Sequence, residues 1–493
     1  MKRLRLSSIL SGALVLGLAS CSASAQKSTE EAVSEEVHIA RVLSGLRGPV
    51  EIEGQPPTTW TLPVRMEHYK APGVSIAVIS GGQIAWARGF GVKQVGGTDS
   101  VTPETLFQAA SISKPVAASG MLRLVAEGKL ALDTNVNRYL KSWQVPDNQF
   151  TATEKVTLRR LASHSAGLTV HGFPGYAEGV AVPTTVQILN GEKPANTRPV
   201  RVDTFPGAIW RYAGGGTTVE QVIMTDVTGE PFPALMQRLV LGPAGMTQST
   251  YEQPLPETRA AQAARAHRGN GEVIAGNWHT YPEMAAAGLW TTPSDLLRWS
   301  LAVTAAWSGR DTTLLPQAIA RDMLTVQKGS FGLGPTVSGT GNAFRFGHGG
   351  SNEGFRSQLW YYPEAGVGAA VMVNSDNGSE LIEEILNAIA AEYGWSGHGP
   401  KKIQVIAADS ATLAQVAGVY QMEFNRQKFP LTLKLEQDTL TAQLTGMPLP
   451  EALVPVAAGE FVGLGRGWRY VFRSDSIEVV IDEGTKIRGK KQP

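Results

Sequence analysis

Apolar positions form strand-like runs at both ends of one long region of the chain. Near its start, Gly81 and Gly82 separate two such runs and suit the tight turn of an antiparallel hairpin. Near its end, a short Pro-Glu-Ala-Gly turn joins two more. The four runs occupy residues 73–79, 83–89, 358–362 and 367–373. We therefore predict an antiparallel sheet that is assembled from the two ends of this region.

Between these pairs of strands, apolar residues recur at helical spacing, and loops rich in Gly, Pro and Asn separate the helices. Predicted helices cover 114–127, 218–228 and 233–240, another begins behind the cap-like Thr292, and a last one follows the sheet at 381–392. We predict a mixed α and β fold, in which helices flank the sheet and an all-helical insert lobe leaves a cleft beside it.

The C-terminal part of the chain has a different pattern. Short alternating runs such as 431–435 and 478–481 are typical of a small β domain, and a Gly-rich and Lys-rich stretch precedes them. We therefore predict a main domain at 36–395, a linker at 396–408 and a β-barrel-like domain at 409–493.

The N-terminus resembles a bacterial lipoprotein signal. Three basic residues precede an apolar run over 9–19, which is too short to span a bilayer as a mature helix. The run ends at Cys21, the single cysteine of the chain, where lipidation would tether the protein. We predict a signal peptide at 1–21, a flexible tether at 22–35 and a periplasm-facing position in the cell envelope, at the outer membrane. Cleavage after Ala25 is the alternative, and it would release a soluble periplasmic or secreted protein.

Composition adds exclusions rather than a function. The chain has 493 residues, of which 42% are apolar and 18% charged, as is normal for globular domains. A net charge of +1 without long charged runs argues against nucleic-acid binding. A lone cysteine cannot form an internal disulfide, and the sequence calls for no metal or cofactor.

The most informative residues are Ser111 and Lys114, which lie at the start of the predicted helix 114–127. Residues three apart share one helix face, so the lysine amine can reach the serine hydroxyl. The positive end of the helix favours negative charge there, and Pro115 suits a first helical turn. The same Ser-x-x-Lys spacing also occurs at Ser24, so four residues alone leave an ordinary helix cap open.

Several sequence motifs together resemble those of one family. Residues 106–115, 161–168, 287–296 and 346–350, with Tyr212-Ala213-Gly214, resemble the serine β-lactamase-like hydrolases across about 33–393. These include class C β-lactamases, penicillin-binding-protein-like D-Ala-D-Ala carboxypeptidases, D-aminopeptidases and esterases. The C-terminal domain resembles the lipocalin-like modules that some members carry.

The resemblance implies roles for individual residues. Ser111 corresponds to the acylated nucleophile, Lys114 to its proton acceptor and Tyr212 to the group that relays the proton to the leaving atom. The N–H groups of Ser111 and Ser351 would hold the oxyanion. Ser351 belongs with His348, Gly349 and Gly350 to the strand motif that binds substrate. The resemblance implies no metal and no cofactor.

Two departures from the family pattern bear on the substrate. Gly214 stands where the second motif usually has Asn, which removes an amide that helps to hold the substrate or the lysine. His348 replaces the lysine of classical penicillin-binding members, and a histidine is mostly neutral at pH 7. The first departure counts against β-lactam or peptide hydrolysis more than against ester hydrolysis, and the second favours a broad or non-lactam substrate.

We therefore expect an exported serine hydrolase that cleaves an ester, a D-amino-acid amide or peptide, or a β-lactam. Its partners would be a small-molecule or peptide substrate, including one derived from peptidoglycan, and a membrane reached through the lipid anchor. The alternative is a catalytically weak protein of the same fold that binds cell-wall fragments or β-lactams. Sequence leaves the oligomeric state open.

Overall fold

A six-stranded antiparallel sheet organises the larger part of the chain in the computed structural model, which describes residues 35–424, 427–445, 449–481 and 485–492. Its strand order is β3-β2-β9-β8-β7-β6. The strands of this part are β1 (Val50–Ile52), β2 (Gly73–Ser80), β3 (Gln83–Gly91), β4 (Phe107–Gln108), β5 (Trp290–Thr291), β6 (Thr336–Ser338), β7 (Arg345–Asn352), β8 (Phe355–Tyr362), β9 (Val367–Val373) and β10 (Lys401–Ile403).

Helices cover both faces of this sheet. They are α1 (35–44), α2 (Leu62–His68), α3 (Ser113–Ala126), α4 (Leu158–Ala162), α5 (Thr185–Asn190), α6 (Gly214–Thr228), α7 (Phe232–Met236), α8 (Glu257–Ala260), α9 (Met284–Ala287), α10 (Pro293–Ser308), α11 (Gln317–Met323) and α12 (Gly378–Tyr393). Short 3-10 turns lie at Ala110–Ile112, Val136–Arg138 and Gly341–Ala343, and a π-helical turn lies at Gln237–Leu241.

The pairing of the first and last strands confirms the predicted assembly of the sheet. β2 pairs with β3 in the predicted hairpin, and it also pairs with β9, which lies almost 300 residues later in the chain. Side chains of β2 alternate between two cores. Ala77 and Ile79 pack against the helical lobe, whereas Val74, Ile76 and Val78 pack beneath α1, α2 and α12.

Two helices differ from their predicted bounds for identifiable reasons. α6 begins at Gly214, four residues before the predicted start, because the three glycines there pack tightly against the preceding loop. A Cβ on Gly215 would lie 2.7 Å from the Thr169 carbonyl oxygen. The predicted helix 233–240 is in fact α7 followed by the π-helical turn. At α10, Thr292 caps the helix as expected through the Asp295 N–H.

The C-terminal strands close into an eight-stranded antiparallel barrel, which confirms the predicted β domain. A short helix, α13 (Ser410–Val416), precedes it, and alternate residues of its strands point inward around buried Tyr420, Met422 and Tyr470. Its strands are β11 (Gly418–Phe424), β12 (Gln427–Glu436), β13 (Thr439–Leu444), β14 (Glu451–Ala457), β15 (Glu460–Gly463), β16 (Arg469–Arg473), β17 (Ser476–Val480) and β18 (Lys486–Lys491).

Arg466 joins the barrel to the hydrolase-like part. Its side chain is only 11% exposed and forms ion pairs with Glu380 of α12 at 2.8 Å and with Glu451 of the barrel at 3.9 Å. The backbone N–H of Arg466 also donates to Glu451 at 2.8 Å. β1 and β10 pair in parallel close by, so the linker is held against the main domain as well. The barrel therefore sits on the α12 side of the sheet.

The predicted signal peptide and Cys21 lie outside the described residues. Within the described part of the chain, every helix is too short or too polar to cross a membrane.

Replacing Arg466 tests this junction. In Arg466→Met, the buried Glu451 carboxylate loses its cation, so we expect the barrel to lose about 3 kcal/mol of unfolding free energy. Urea denaturation, with limited proteolysis of the barrel strands as the readout, measures this loss. The matched control is Arg469→Met, because Arg469 is more than half exposed and its partner Glu460 is in the same barrel hairpin. Equal stability of the two variants would contradict the proposed role of the junction.

Candidate active site

Ser111 lies in the 3-10 turn that leads directly into α3, close to the predicted helix start. The preceding residue, Ala110, has a φ of +50°, which L-amino acids with a Cβ rarely adopt. The Ser113 hydroxyl donates to the Ala110 carbonyl at 2.5 Å, and the Ser357 hydroxyl donates to the Ala109 carbonyl at 3.0 Å. These hydrogen bonds hold a constrained turn that presents Ser111 between the sheet and the helical lobe.

Lys114 contacts Ser111 as the spacing predicted. Its Nζ lies 2.9 Å from the Ser111 Oγ and donates to the Ala286 carbonyl oxygen at 2.7 Å. The side chain is 4% exposed. Burial lowers the pKa of Lys114 to about 7, and the nearby Glu220 opposes this shift. A substantial fraction of the amine is therefore unprotonated at neutral pH, as a proton acceptor requires.

Tyr212 lies at the entrance to α6 and faces the same pair. Its ring centroid is 5.1 Å from the Lys114 Nζ. The hydroxyl is buried and makes no hydrogen bond of normal geometry, but Ser111 lies close enough to influence it. Burial raises the pKa of Tyr212 well above its usual range, and the Ser111 hydroxyl opposes that rise. The tyrosine is thus a neutral hydroxyl group next to the serine.

β7 brings the strand motif, residues 348–351, next to the turn that carries Ser111. A Cβ on Gly350 would lie 2.2 Å from the Ala109 carbonyl oxygen and 2.2 Å from the Ser357 hydroxyl, so the close approach requires glycine. Gly349 and Ser351 flank Gly350 on the strand, and Ser351 is exposed. The strand motif and Ser111 therefore lie side by side, although they are more than 230 residues apart in sequence.

His348, on the same strand, is an uncharged group here. Its Nδ1 contacts the Gly349 carbonyl oxygen at 2.6 Å, and its Nε2 is buried without a hydrogen-bond partner. Burial and then the charge of Lys114 lower the pKa of His348 to about 4. Nδ1 therefore carries the proton that the carbonyl accepts, and the ring is neutral at pH 7.

Two further histidines pack against Tyr212. His164 and Tyr212 have ring centroids 4.3 Å apart, and His171 lies 4.9 Å away from the same ring. The His164 Nδ1 accepts the Ala213 N–H at 3.3 Å, so this histidine holds the backbone that follows Tyr212. Burial and then Lys114 lower the pKa of both histidines. They therefore position Tyr212 without adding charge.

The structure explains the absence of asparagine at Gly214. The Gly214 N–H donates to the His171 carbonyl at 3.0 Å. A Cβ on this residue would lie 3.0 Å from that oxygen and 3.1 Å from the Phe173 ring. The segment between α4 and α5 therefore fills the space of the missing side chain, and an asparagine would require this segment to shift.

Sequence reasoning missed Glu220 and the Ala286 carbonyl. Glu220 lies on α6 with 2% of its surface exposed, and its Oε1 has no hydrogen-bond partner. Burial raises the pKa of Glu220 to about 8, and the nearby Lys114 opposes the rise. A glutamate within the buried face of a helix was a usable signal. The Ala286 carbonyl gave no sequence signal, because every residue has a backbone carbonyl.

The chain is similar to several known proteins. Residues 61–392 match the family model described as Beta-lactamase. A D-aminopeptidase of Brucella anthropi is 24% identical over 355 residues, which cover 67% of this chain and 64% of that protein. A D-aminopeptidase of Brucella canis is 22% identical over 332 residues, covering 65% and 60% respectively. The match thus spans less than two thirds of the length of these relatives.

Solved structures show the same fold. The octameric penicillin-binding protein homologue from Pyrococcus abyssi has a TM-score of 0.59 at 20% identity, covering 87% of this chain and 98% of that one. The D-amino acid amidase from Ochrobactrum anthropi SV3, complexed with L-phenylalanine, has a TM-score of 0.53 at 22% identity, covering 66% and 96%. These likenesses confirm the predicted fold class.

Burial of Lys114 has a cost in stability that can be measured. The unfolded chain binds a proton at this amine up to about pH 10.4, whereas the folded protein releases it near pH 7. Stability therefore rises with pH between these values. Lys114→Met removes the cost, so we expect it to stabilise the fold by about 3 kcal/mol at pH 7 and by less at pH 9.5.

Chemical denaturation at both pH values measures the difference. Lys129→Met is the matched control, because Lys129 is about half exposed and its replacement changes the same side chain without relieving burial. A Lys114→Met effect that is equal at pH 7 and pH 9.5 would show that its pKa is not lowered.

Proposed function

The chain belongs to the beta-lactamase family, and from this premise we propose that it is a serine hydrolase that forms an acyl-enzyme on Ser111. The observation that carries the proposal is the 2.9 Å contact between the Ser111 Oγ and the buried Lys114 amine. A lysine with a pKa near 7 can accept the serine proton at neutral pH.

In the first step, the Lys114 amine takes the proton from the Ser111 hydroxyl while the Oγ attacks the substrate carbonyl carbon. The tetrahedral intermediate carries its negative charge on the former carbonyl oxygen. As this intermediate collapses, the bond to the leaving atom breaks, and Tyr212 delivers to that atom a proton that Lys114 replaces. A water molecule then hydrolyses the ester on Ser111 by the reverse sequence of proton transfers and frees the enzyme.

The oxyanion needs donors between the two lobes. We assign them to the backbone N–H groups of Ser111 and Ser351. The contact of Gly350 with the Ala109 carbonyl supports this assignment, since it places β7 against the Ser111 turn. Gly349 and His348 complete the strand along which the substrate lies.

For the bond, we propose an amide or an ester. The D-aminopeptidase relatives and the D-amino acid amidase structure favour an amide or peptide of a D-amino acid. The closed space at Gly214 and the neutral His348 argue against a β-lactam or another substrate that needs a fixed cation. Esters need the least assistance to the leaving group and remain within the same mechanism.

The second candidate is a weakly catalytic binding protein for cell-wall fragments or β-lactams. It is favoured by the missing amide at Gly214 and by the additional barrel domain. In that case Ser111 would be acylated once, and the adduct would persist because deacylation fails.

We also propose that the protein acts in the cell envelope. The basic N-terminus, the apolar run and Cys21 support export and lipid anchoring, with the active site facing the periplasm at the outer membrane. A membrane-tethered hydrolase would meet small molecules and peptides released from peptidoglycan.

The acyl-enzyme predicts covalent labelling of one residue. Signal-free protein treated with a fluorophosphonate should gain one adduct by intact mass, and Ser111→Ala should gain none. Labelling should accelerate with a midpoint near pH 7, because Lys114 must lose its proton to act as a base. Ser308→Ala, an exposed serine at the end of α10, is the matched control. An adduct on Ser111→Ala, or none on the native protein, would sink the proposal.

Lipid anchoring predicts a phase preference. The full-length protein expressed in a bacterial host should enter the detergent phase of a Triton X-114 extraction, and Cys21→Ala should shift it to the aqueous phase. Ser22→Ala, beside the modified residue, serves as the control. Equal partitioning of the native protein and Cys21→Ala would leave cleavage after Ala25 as the explanation.

A further inference from the structure

The surroundings of Ser111 hold few fixed charges. His164, His171 and His348 all have lowered pKa values and are neutral at pH 7. Among the described side chains, only Lys114 contributes a charge to the pKa of His348. The lysine itself is partly unprotonated at that pH. A carboxylate bound next to Ser111 would therefore lack a permanent counter-ion in this group.

Arginines at the edges of the site are already engaged. Arg211, which precedes Tyr212, pairs with Asp203 and donates to the Gly167 carbonyl. Arg356 lies opposite Ser351 in the β7–β8 register, and its guanidinium donates to the carbonyls of Asn352 and Phe355 and pairs with Asp376. Arg268 pairs with Glu353 beyond the end of β7. The charge of each of these guanidinium groups is therefore already balanced by a carboxylate of the protein.

Large apolar side chains, by contrast, are exposed beside the site. Trp210 is 41% exposed, and the adjacent Ile209 is 43% exposed. The Trp210 ring stacks on Phe331, with centroids 5.5 Å apart and an interplanar angle of 29°. Gly329, which has a φ of +60°, leaves room for the ring, since a Cβ there would lie 3.0 Å from it. The Trp210 ring is therefore supported by Phe331 and is still partly exposed to solvent.

This aromatic group is continuous with the reacting residues. The Phe331 ring lies 6.0 Å from Tyr212 and 5.8 Å from His348, measured between centroids. Only the Phe331 ring therefore lies between Trp210 and these two residues. An exposed indole next to a nucleophile is typical of a surface that a substrate group covers, because indole and alkyl groups gain free energy by leaving water together.

We propose that the exposed Trp210 and Ile209, with the buried Phe331 supporting the Trp210 ring, form a binding platform for an uncharged aromatic or alkyl group of the substrate, next to the bond that Ser111 attacks. The proposal rests on the proposed function, which it deepens by naming the substrate class. The preferred substrates are neutral amides or esters with an apolar group beside the scissile bond, and substrates with a carboxylate in that position are poor. We call Trp210, Ile209 and Phe331 together the Trp210 platform.

A set of thioester substrates shows on which side of the scissile bond the apolar group binds, because that group can be placed on either side. The 3-phenylpropionyl ethyl thioester carries its ring on the acyl side, and the acetyl benzyl thioester carries it on the leaving side. The charged counterparts are succinyl ethyl thioester and acetyl thioglycolate, and acetyl ethyl thioester is the small reference. We expect kcat/KM to favour the aromatic member over the charged one by about tenfold or more on one side.

Trp210→Ala should lower kcat/KM about tenfold for that aromatic thioester and by a clearly smaller factor for the acetyl ethyl thioester, because the ethyl group has less apolar surface to bury. Phe424→Ala is the matched control, because Phe424 is an exposed aromatic residue on the barrel, 39% exposed. Preference for the charged thioesters, or an unchanged aromatic preference in Trp210→Ala, would overturn the platform.

A binding measurement keeps the platform testable if Ser111 proves unreactive. Saturation-transfer NMR with 3-phenylpropionamide, an uncharged and stable amide, should detect binding to the native protein and to Ser111→Ala but not to Trp210→Ala. Equal signals from all three proteins would overturn the platform. Absence of both thioester turnover and a phosphonate adduct would instead overturn the proposed function.

Discussion

Burial of one lysine amine is the constraint on which the site depends. Lys114 enters a nearly closed space between α3, α6 and α9, where it contacts the Ser111 Oγ and the Ala286 carbonyl. Water would stabilise the ammonium form, so removing water lowers the pKa into the range where the amine can act as a base. The elements around Lys114 must therefore either place a hydrogen-bonding group near its amine or keep solvent away from it.

Close backbone approaches provide that exclusion, and glycines make them possible. Gly350 lets β7 pack against the turn that carries Ser111, and Gly215 lets α6 begin against the loop before it. A side chain at position 350 would push β7 away from the Ser111 turn, and a side chain at position 215 would push α6 away from Thr169. The Ser111 turn is further held by the short β4–β5 pairing, which joins Gln108 to Trp290. The fold thus supplies rigidity at the same places where the proposed chemistry requires contact.

The sequence predicted elements and motifs better than it predicted the surroundings of the motifs. The hairpin around Gly81 and the barrel follow from period-two alternation, which is a local property. The Ser111–Lys114 contact also follows from local helix geometry. Glu220, the Ala286 carbonyl and the Trp210 stacking on Phe331 depend on contacts between distant segments, and no spacing rule reports such contacts. The start of α6 was misplaced because three glycines are poor helix formers that tertiary packing nevertheless stabilises.

The same burial that lowers the pKa of Lys114 also restricts what the site can bind. A buried, partly neutral lysine cannot double as the fixed cation for a substrate carboxylate, and burial, followed by the residual charge of Lys114, lowers the pKa of His348 so that its ring is neutral. His348 therefore cannot replace the lysine of classical penicillin-binding members, whatever its position on β7. Once the site lacks that cation, binding free energy must come from apolar contacts or from hydrogen bonds to the substrate. In the proposed platform, the exposed indole of Trp210, which Phe331 separates from Tyr212 and His348, would supply such an apolar contact in a site without a fixed cation.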